Sequence, residues 1–132
     1  MIRKTRNPGN LRFSERNNWI GQTGQYKGFC CFDSTKQGLR ALVLTLFSYR
    51  MKHNLTTVEL IIHRYAPPME NDTRSYIDSI GLMTSLRPHD NPFFSAQTFV
   101  DFVQAICRVE TQYLLSRAEE LYVEDLYRAN II

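Results

Sequence analysis

Two glutamates stand where a proton donor could work. Glu110 closes the apolar stretch Phe102-Val103-Gln104-Ala105-Ile106-Cys107-Arg108-Val109 and is followed by Thr111. Glu70 lies in Pro68-Met69-Glu70-Asn71-Asp72-Thr73, where an irregular loop enters a helix. A carboxyl partly buried against apolar or aromatic groups resists ionisation and can donate its proton. One reaction that uses such a group is the cleavage of a glycosidic bond. There a protonated carboxyl sits beside the scissile oxygen, and a second carboxylate, a tyrosine or a substrate amide stabilises the oxocarbenium-like state. Each glutamate also has a plain structural reading. A Glu near a helix end followed by Thr is common on surfaces. Glu70 ahead of a helix complements its dipole, with Asn71 and Asp72 as caps.

The groups that would bind such a substrate are of three kinds. Asn7 and Asn10 flank Pro8-Gly9, and their amides suit the N-acetyl and hydroxyl groups of a sugar. Pro-Gly is equally a turn, with Asn10 bonding its own backbone. Trp19, Tyr65 and Tyr76 offer rings that stack on sugars, although aromatics at helical spacing are more often core, Tyr76 above all. Arg12 would anchor a wall carboxylate or pair with Glu15 or Asp33. Asn71 and Asp72 add polar groups to the substrate side of the loop, or cap the helix. Ser34 and the histidines His53, His63 and His89 form no nucleophilic pair. Gly21, Gly24 and Gly28 belong to a hairpin connection and not to a phosphate-binding loop. Cys30, Cys31 and Cys107 lack zinc spacing and read as reduced, buried thiols. Neither a cofactor nor a metal is expected.

The frame for these residues is small. The chain has 132 residues, 43% hydrophobic and 22% charged, which fits one globular domain over residues 1–132. Such a length buries most of its apolar surface without disulfides. The net charge is +3, and Arg3, Lys4, Arg6 and Arg12 crowd the start. That gives a weak pull on polyanions, short of a DNA binder's basic stripe, so nucleic acid is not the expected partner. The longest apolar run, Ala41 to Phe47, is interrupted by Thr45 and falls well below the ~20 residues of a membrane span. The basic start runs into Asn-Pro-Gly-Asn, where a signal peptide would be apolar. The expectation is a protein that starts in the cytoplasm; if it acts on a cell wall, something else must carry it there.

Residues 1–9 read as an irregular arm, Leu11-Arg12-Phe13 as a short strand, and Asn17 to Gly24 as a polar turn region. Tyr26 to Phe32 reads as a second strand. Ser34-x-x-Gln37 is a capping box opening a helix to about Lys52, and Thr56-x-x-Glu59 opens another over Val58 to Arg64, stopped by Pro67-Pro68. Asn71, Asp72 and Thr73 start a third, with Gly81 at its C-terminal end. Ser95 caps a long helix to about Glu110. The last helix, Arg117 to Arg128, places Leu121, Leu126 and Tyr127 on one side. The fold class is α+β: mostly helical, with a small β-hairpin near the N-terminus.

Three segments, in order, carry a resemblance. They are Arg6-Asn7-Pro8-Gly9-Asn10-Leu11-Arg12; then Gly28-Phe29-Cys30-Cys31-Phe32-Asp33-Ser34 with Gly38-Leu39-Arg40-Ala41 and Tyr49; then Leu55 to Val58, Ile61 to Thr73, and Tyr76-Ile77. Over about residues 6–80 this resembles a family of small proteins of phages, prophages and Bacteroides-type mobile elements, often labelled virion or structural proteins. More distantly it is similar to flagellar-type peptidoglycan glucosaminidases. The resemblance implies a lysozyme-like fold, a glycan groove, and peptidoglycan strands and virion proteins as partners. It implies either a glycosidase or lytic transglycosylase, or a non-catalytic virion module that keeps the fold. In those enzymes the acid closes a helix that precedes the hairpin, and here too few residues precede Asn7. Residues 102–111 resemble the apolar-helix-then-Glu-Ser/Thr motif of lytic transglycosylases. A circularly permuted arrangement would therefore assign the acid to Glu110.

Overall fold

The computed structural model describes residues 2–132. It is mostly helical with a two-stranded antiparallel sheet near the N-terminus. The order is α1 (Ile2–Thr5), β1 (Gln22–Tyr26), β2 (Phe29–Phe32), α2 (Thr35–His53), α3 (Val58–Tyr65), α4 (Thr73–Thr84), α5 (Ala96–Thr111) and α6 (Arg117–Asn130).

The N-terminal third differs most from the sequence expectation. The arm holds one helical turn, α1, and Tyr26 to Phe32 is not one strand. Lys27 (φ 52°) and Gly28 (φ 87°) both lie in the left-handed region, where a two-residue turn matches the twist of its flanking strands. They fold the aromatic run back on itself, so that Tyr26 faces Phe29. The polar residues Gln22 to Gly24 become strand, with a bulge between Gln22 and Gly24. Leu11-Arg12-Phe13 lies along the other edge of β2. Arg12 bridges Phe29, Phe13 N–H donates to Gly28 O at 2.8 Å, and Cys30 N–H donates to Leu11 O at 3.0 Å.

Side-chain caps set the helix starts. Ser34 accepts from Gln37 N–H, Ser95 from Thr98 N–H and Asp72 from Ser75 N–H, each satisfying a backbone donor that the first turn leaves open. The α3 cap is Thr57 and not Thr56. The full reciprocal capping box belongs to α6, between Ser116 and Glu119. Helix α4 passes through Gly81 and ends at Ser85, whose φ of 69° breaks the helix. Along α6 the core side is Val123 and Tyr127, while Leu121 is 44% exposed.

The main core lies among α2–α6, where Leu39, Leu42, Leu46, Ile61, Ile62, Ile80, Phe99, Phe102 and Ile106 are fully buried. Each contributes roughly 1.5–3 kcal/mol of apolar transfer free energy. A ring cluster of Phe47, Phe93, Phe99 and Tyr127, with centroids 5.1–6.1 Å apart, closes one end. A second, smaller core of Leu11, Cys30, Phe32 and Ala41 joins the hairpin to α2, with Phe13, Trp19 and Tyr65 packed on it. Among the described residues no helix is long and apolar enough to cross a membrane.

Candidate functional site

The site begins with a loop held from below. Asn7 is fully buried. Its amide nitrogen donates to Leu11 O at 2.9 Å and to Cys30 O at 3.0 Å, and its oxygen accepts from Leu11 N–H at 3.0 Å. Those bonds tie the loop to β2. On the other side, Gly38 of α2 has no room for a side chain because the Arg6 carbonyl and the Pro8 ring rest on it. The Gly9 carbonyl accepts from the Tyr65 hydroxyl at the end of α3, and the Pro8 carbonyl accepts from Thr111 Oγ1 at 2.8 Å at the end of α5. The loop thus joins the C-terminal ends of two helices.

This clamping delivers Asn10 to Glu110. Asn10 adopts φ 52°, a left-handed conformation that asparagine tolerates better than most residues. Its Nδ2 donates to the Glu110 carbonyl at 3.0 Å and reaches the carboxyl Oε1 at 3.4 Å. The Tyr76 hydroxyl, from α4, donates to Oε2 at 2.8 Å. Burial pushes the Glu110 carboxyl above the ordinary glutamate range, and the hydrogen bonds from Tyr76 and Asn10 and the charge of Arg12 oppose that rise. Burial also raises the Tyr65 and Tyr76 phenols, with the charge of Glu110 adding to it. Both tyrosines therefore stay neutral and act as hydrogen-bond donors.

Above Glu110 lies a cavity of about 350 Å³ lined by Asn10, Leu11, Arg12, Asn17, Trp19, Phe29, Thr45, Tyr49, Tyr65, Glu70, Asn71 and Glu110. It is continuous in its lining with a shallower depression that shares Asn17, Trp19, Thr45 and Tyr49 and adds Ser48 and Arg64. The two make an extended groove lined by the carboxyl residues Glu70 and Glu110, by the amides of Asn10, Asn17 and Asn71, and by aromatic rings. That combination suits an amide- and hydroxyl-bearing ligand with an apolar face. Among the described residues no three His, Cys, Asp or Glu side chains converge as a metal site would require.

Seven of the ten residues singled out from the sequence line this cavity: Asn10, Arg12, Trp19, Tyr65, Glu70, Asn71 and Glu110. Three do not. Asn7 is behind the wall, its amide committed to backbone. Tyr76 is buried, so its hydroxyl touches Glu110 while its ring is unavailable for stacking. Asp72 caps α4 through Ser75, with Oδ1 accepting from the backbone N–H at 3.1 Å and Oδ2 from the hydroxyl at 2.9 Å, and those bonds lower its carboxyl pKa. Sequence reasoning did not assign Asn17, Phe29, Thr45 and Tyr49 to the site. Thr45 carried a signal: it interrupts the apolar run of α2, and Tyr49 follows it by one turn on the same face.

No protein-family model matches the chain. A stretch of 55 residues, 42% of this chain, is 38% identical to "Protein P5" of Pseudoalteromonas phage PM2. The chain spans about a third of that curated relative's length (34%). Over that stretch the chain is similar to a phage protein.

Proposed function

We propose that this phage-related protein has a lysozyme-like fold, carried in one domain, and binds and cleaves peptidoglycan glycan strands in the groove above Glu110. The observation that carries the reading is the placement of the Glu110 carboxyl. It is partly buried at the cavity floor, raised in pKa by that burial, and held by Tyr76 and Asn10. A carboxyl whose pKa is raised by burial is the kind of donor that a glycosidic leaving oxygen needs. Tyr65 and Trp19 would bear on sugar faces. Asn10 and Asn71 would address N-acetyl and hydroxyl groups, Arg12 an acidic substituent, and Glu70 at the rim the water or the oxocarbenium-like centre. On this reading the fold is circularly permuted, with the acid supplied by α5 after the hairpin.

One observation favours a non-catalytic alternative. Tyr76 and Asn10 both donate to Glu110, which is the pattern of an ionised acceptor pinning α4, α5 and the N-terminal loop together. On that reading the protein is a virion module that retains the groove as a binding surface.

Purified protein incubated with peptidoglycan sacculi, beside Glu110→Gln and Glu70→Gln, separates the two. Release of soluble muropeptides that Glu110→Gln abolishes supports the enzyme. Retention on sacculi without release supports the binding module. Neither release nor retention overturns both.

A further inference from the structure

The charge of this chain is unevenly placed. Residues 1–40 carry eight Lys and Arg against two acids, a net +6, while residues 41–132 carry eight against eleven, a net −3. The ion pairs found among the described residues all lie at or beyond Glu59. None of the eight N-terminal cations takes part in one. Apart from the longer-range attraction between Arg12 and Glu110, this excess lacks ion-pair partners among the described residues and exerts its field outward.

Part of this charge is arranged on a row that starts in the cavity. Arg12, Phe29 and Tyr26 are cross-strand neighbours: Arg12 bridges Phe29, and Phe29 pairs with Tyr26. Side chains paired in this way share one face of the ribbon. The Arg12 guanidinium lies over the Phe29 ring at 5.2 Å, and the Lys27 and Lys4 ammonium groups lie over the Tyr26 ring at 5.3 and 5.8 Å. Contact with a ring face holds a cation in place without neutralising it. Arg12 and Phe29 also line the cavity, so the row runs from the cavity wall to the hairpin tip.

We infer that this row is a ledge for the peptide stems of the glycan, so that the preferred ligand is stem-bearing peptidoglycan and not bare glycan. This rests on the glycan reading of the cavity and adds a second contact to it. A strand seated over Glu110 projects its lactyl-linked peptides sideways, and their free carboxylates meet Arg12 first and then Lys27 and Lys4. The aromatic rings beneath present apolar surface to the stem's small side chains.

The test compares purified glycan strands carrying intact stems with the same strands stripped by an amidase and then amidated at the lactyl carboxyl that the hydrolysis exposes, so that the stripped strands carry no carboxylate. Binding is followed at low ionic strength through Trp19, the chain's one tryptophan, in the Glu110→Gln protein so that strands stay whole. The expected result is about threefold to tenfold tighter binding of stem-bearing strands, an advantage that falls with added salt. Lys4→Gln with Lys27→Gln, both exposed positions away from the cavity, removes that advantage and leaves affinity for stripped strands unchanged. Equal affinity for the two strands overturns the ledge while leaving the glycan reading intact, as does an equal loss on both strands in the double variant. Binding of neither strand overturns the glycan reading and the ledge with it. Duplex DNA binding more tightly than stem-bearing strands, with affinity lost in the double variant, reassigns the row to nucleic acid.

Discussion

Asn10 and Glu110 are 100 positions apart, yet one amide nitrogen of Asn10 reaches both the backbone carbonyl and the carboxyl of Glu110. The contact joins the start of the chain to the last turn of α5 at the floor of the cavity. It also explains why the Asn7–Asn10 loop is clamped by Asn7, Gly38, Tyr65 and Thr111. An amide in the left-handed conformation holds a carboxyl in place only if its backbone cannot drift.

The first prediction concerns the cost of keeping Glu110 where it is. Its folded-state pKa is raised, mainly by burial, so the folded protein binds more protons than the unfolded chain between the unfolded and folded pKa values. Stability is then greatest below the unfolded carboxyl range and declines as pH rises through that window. Glu110→Gln removes the titration and keeps an acceptor for Tyr76. The variant is expected to melt a few degrees above the parent at pH 7, with the difference narrowing toward pH 4 as the parent's carboxyl takes up its proton. Thermal denaturation at the two pH values checks this. A variant less stable than the parent at pH 7 would count against a raised Glu110.

A second prediction separates Tyr76 as a support for Glu110 from Tyr76 as core. Tyr76→Phe keeps the ring and deletes one donor to the carboxyl, a bond that lowers the Glu110 pKa. The Glu110 titration, followed by carboxyl carbon NMR, should move to higher pH. In an active protein the alkaline limb of the rate profile should move the same way. Stability should fall by about 1 kcal/mol for the lost hydrogen bond. A purely structural tyrosine would cost stability without moving the titration.

Much of this architecture was legible because it rests on local chemistry. Ser34, Asp72 and Ser95 mark helix starts, since a side-chain oxygen there satisfies a backbone N–H whatever the tertiary fold; the Ser116 cap of α6 was not singled out. The apolar spacing of α2 and α5 likewise gave the main core. The hairpin was harder. Tyr26 to Phe32 is uniformly strand-forming by composition, and the turn depends on Lys27 and Gly28 both taking positive φ, which Lys27 does not announce. In the site, Glu110, Trp19 and Tyr65 were singled out by residue type, whereas Phe29 and Tyr49, which complete the aromatic lining, were not. The division of labour between Asn7 and Asn10 was not. Both are asparagines beside Pro-Gly, and only the path of β2 decides that one amide is consumed by backbone while the other faces Glu110.

That division gives the third prediction. Asn7→Ala removes two donors and one acceptor at a fully buried position; the Leu11 N–H and the Cys30 carbonyl lose their Asn7 partner, and the Leu11 carbonyl keeps only the bond from Cys30 N–H. The expected loss is about 3 kcal/mol in urea unfolding. Asn7→Asp should be nearly as damaging, because a carboxylate cannot donate to the two carbonyls. A change below about 1 kcal/mol in either variant would mean that the loop is held by other contacts.

The last prediction runs against helix propensity. Alanine in place of glycine inside a helix ordinarily adds about 1 kcal/mol of stability, and Gly38 lies in the first turn of α2. A methyl group at this position would meet the Arg6 carbonyl and lie 2.9 Å from the Pro8 ring carbon. The carbonyl is main chain and cannot rotate away as a side chain could, so the 6–10 loop must lift from α2. Gly38→Ala is therefore expected to lose about 1–3 kcal/mol net and to weaken glycan binding, because lifting Pro8 and Gly9 draws Asn10 from Glu110. Urea unfolding and Trp19 fluorescence titration read the two effects separately. A Gly38→Ala protein more stable than the parent, with unchanged binding, would show that the loop does not depend on close contact with α2 and that Asn10 is positioned from the β2 side alone.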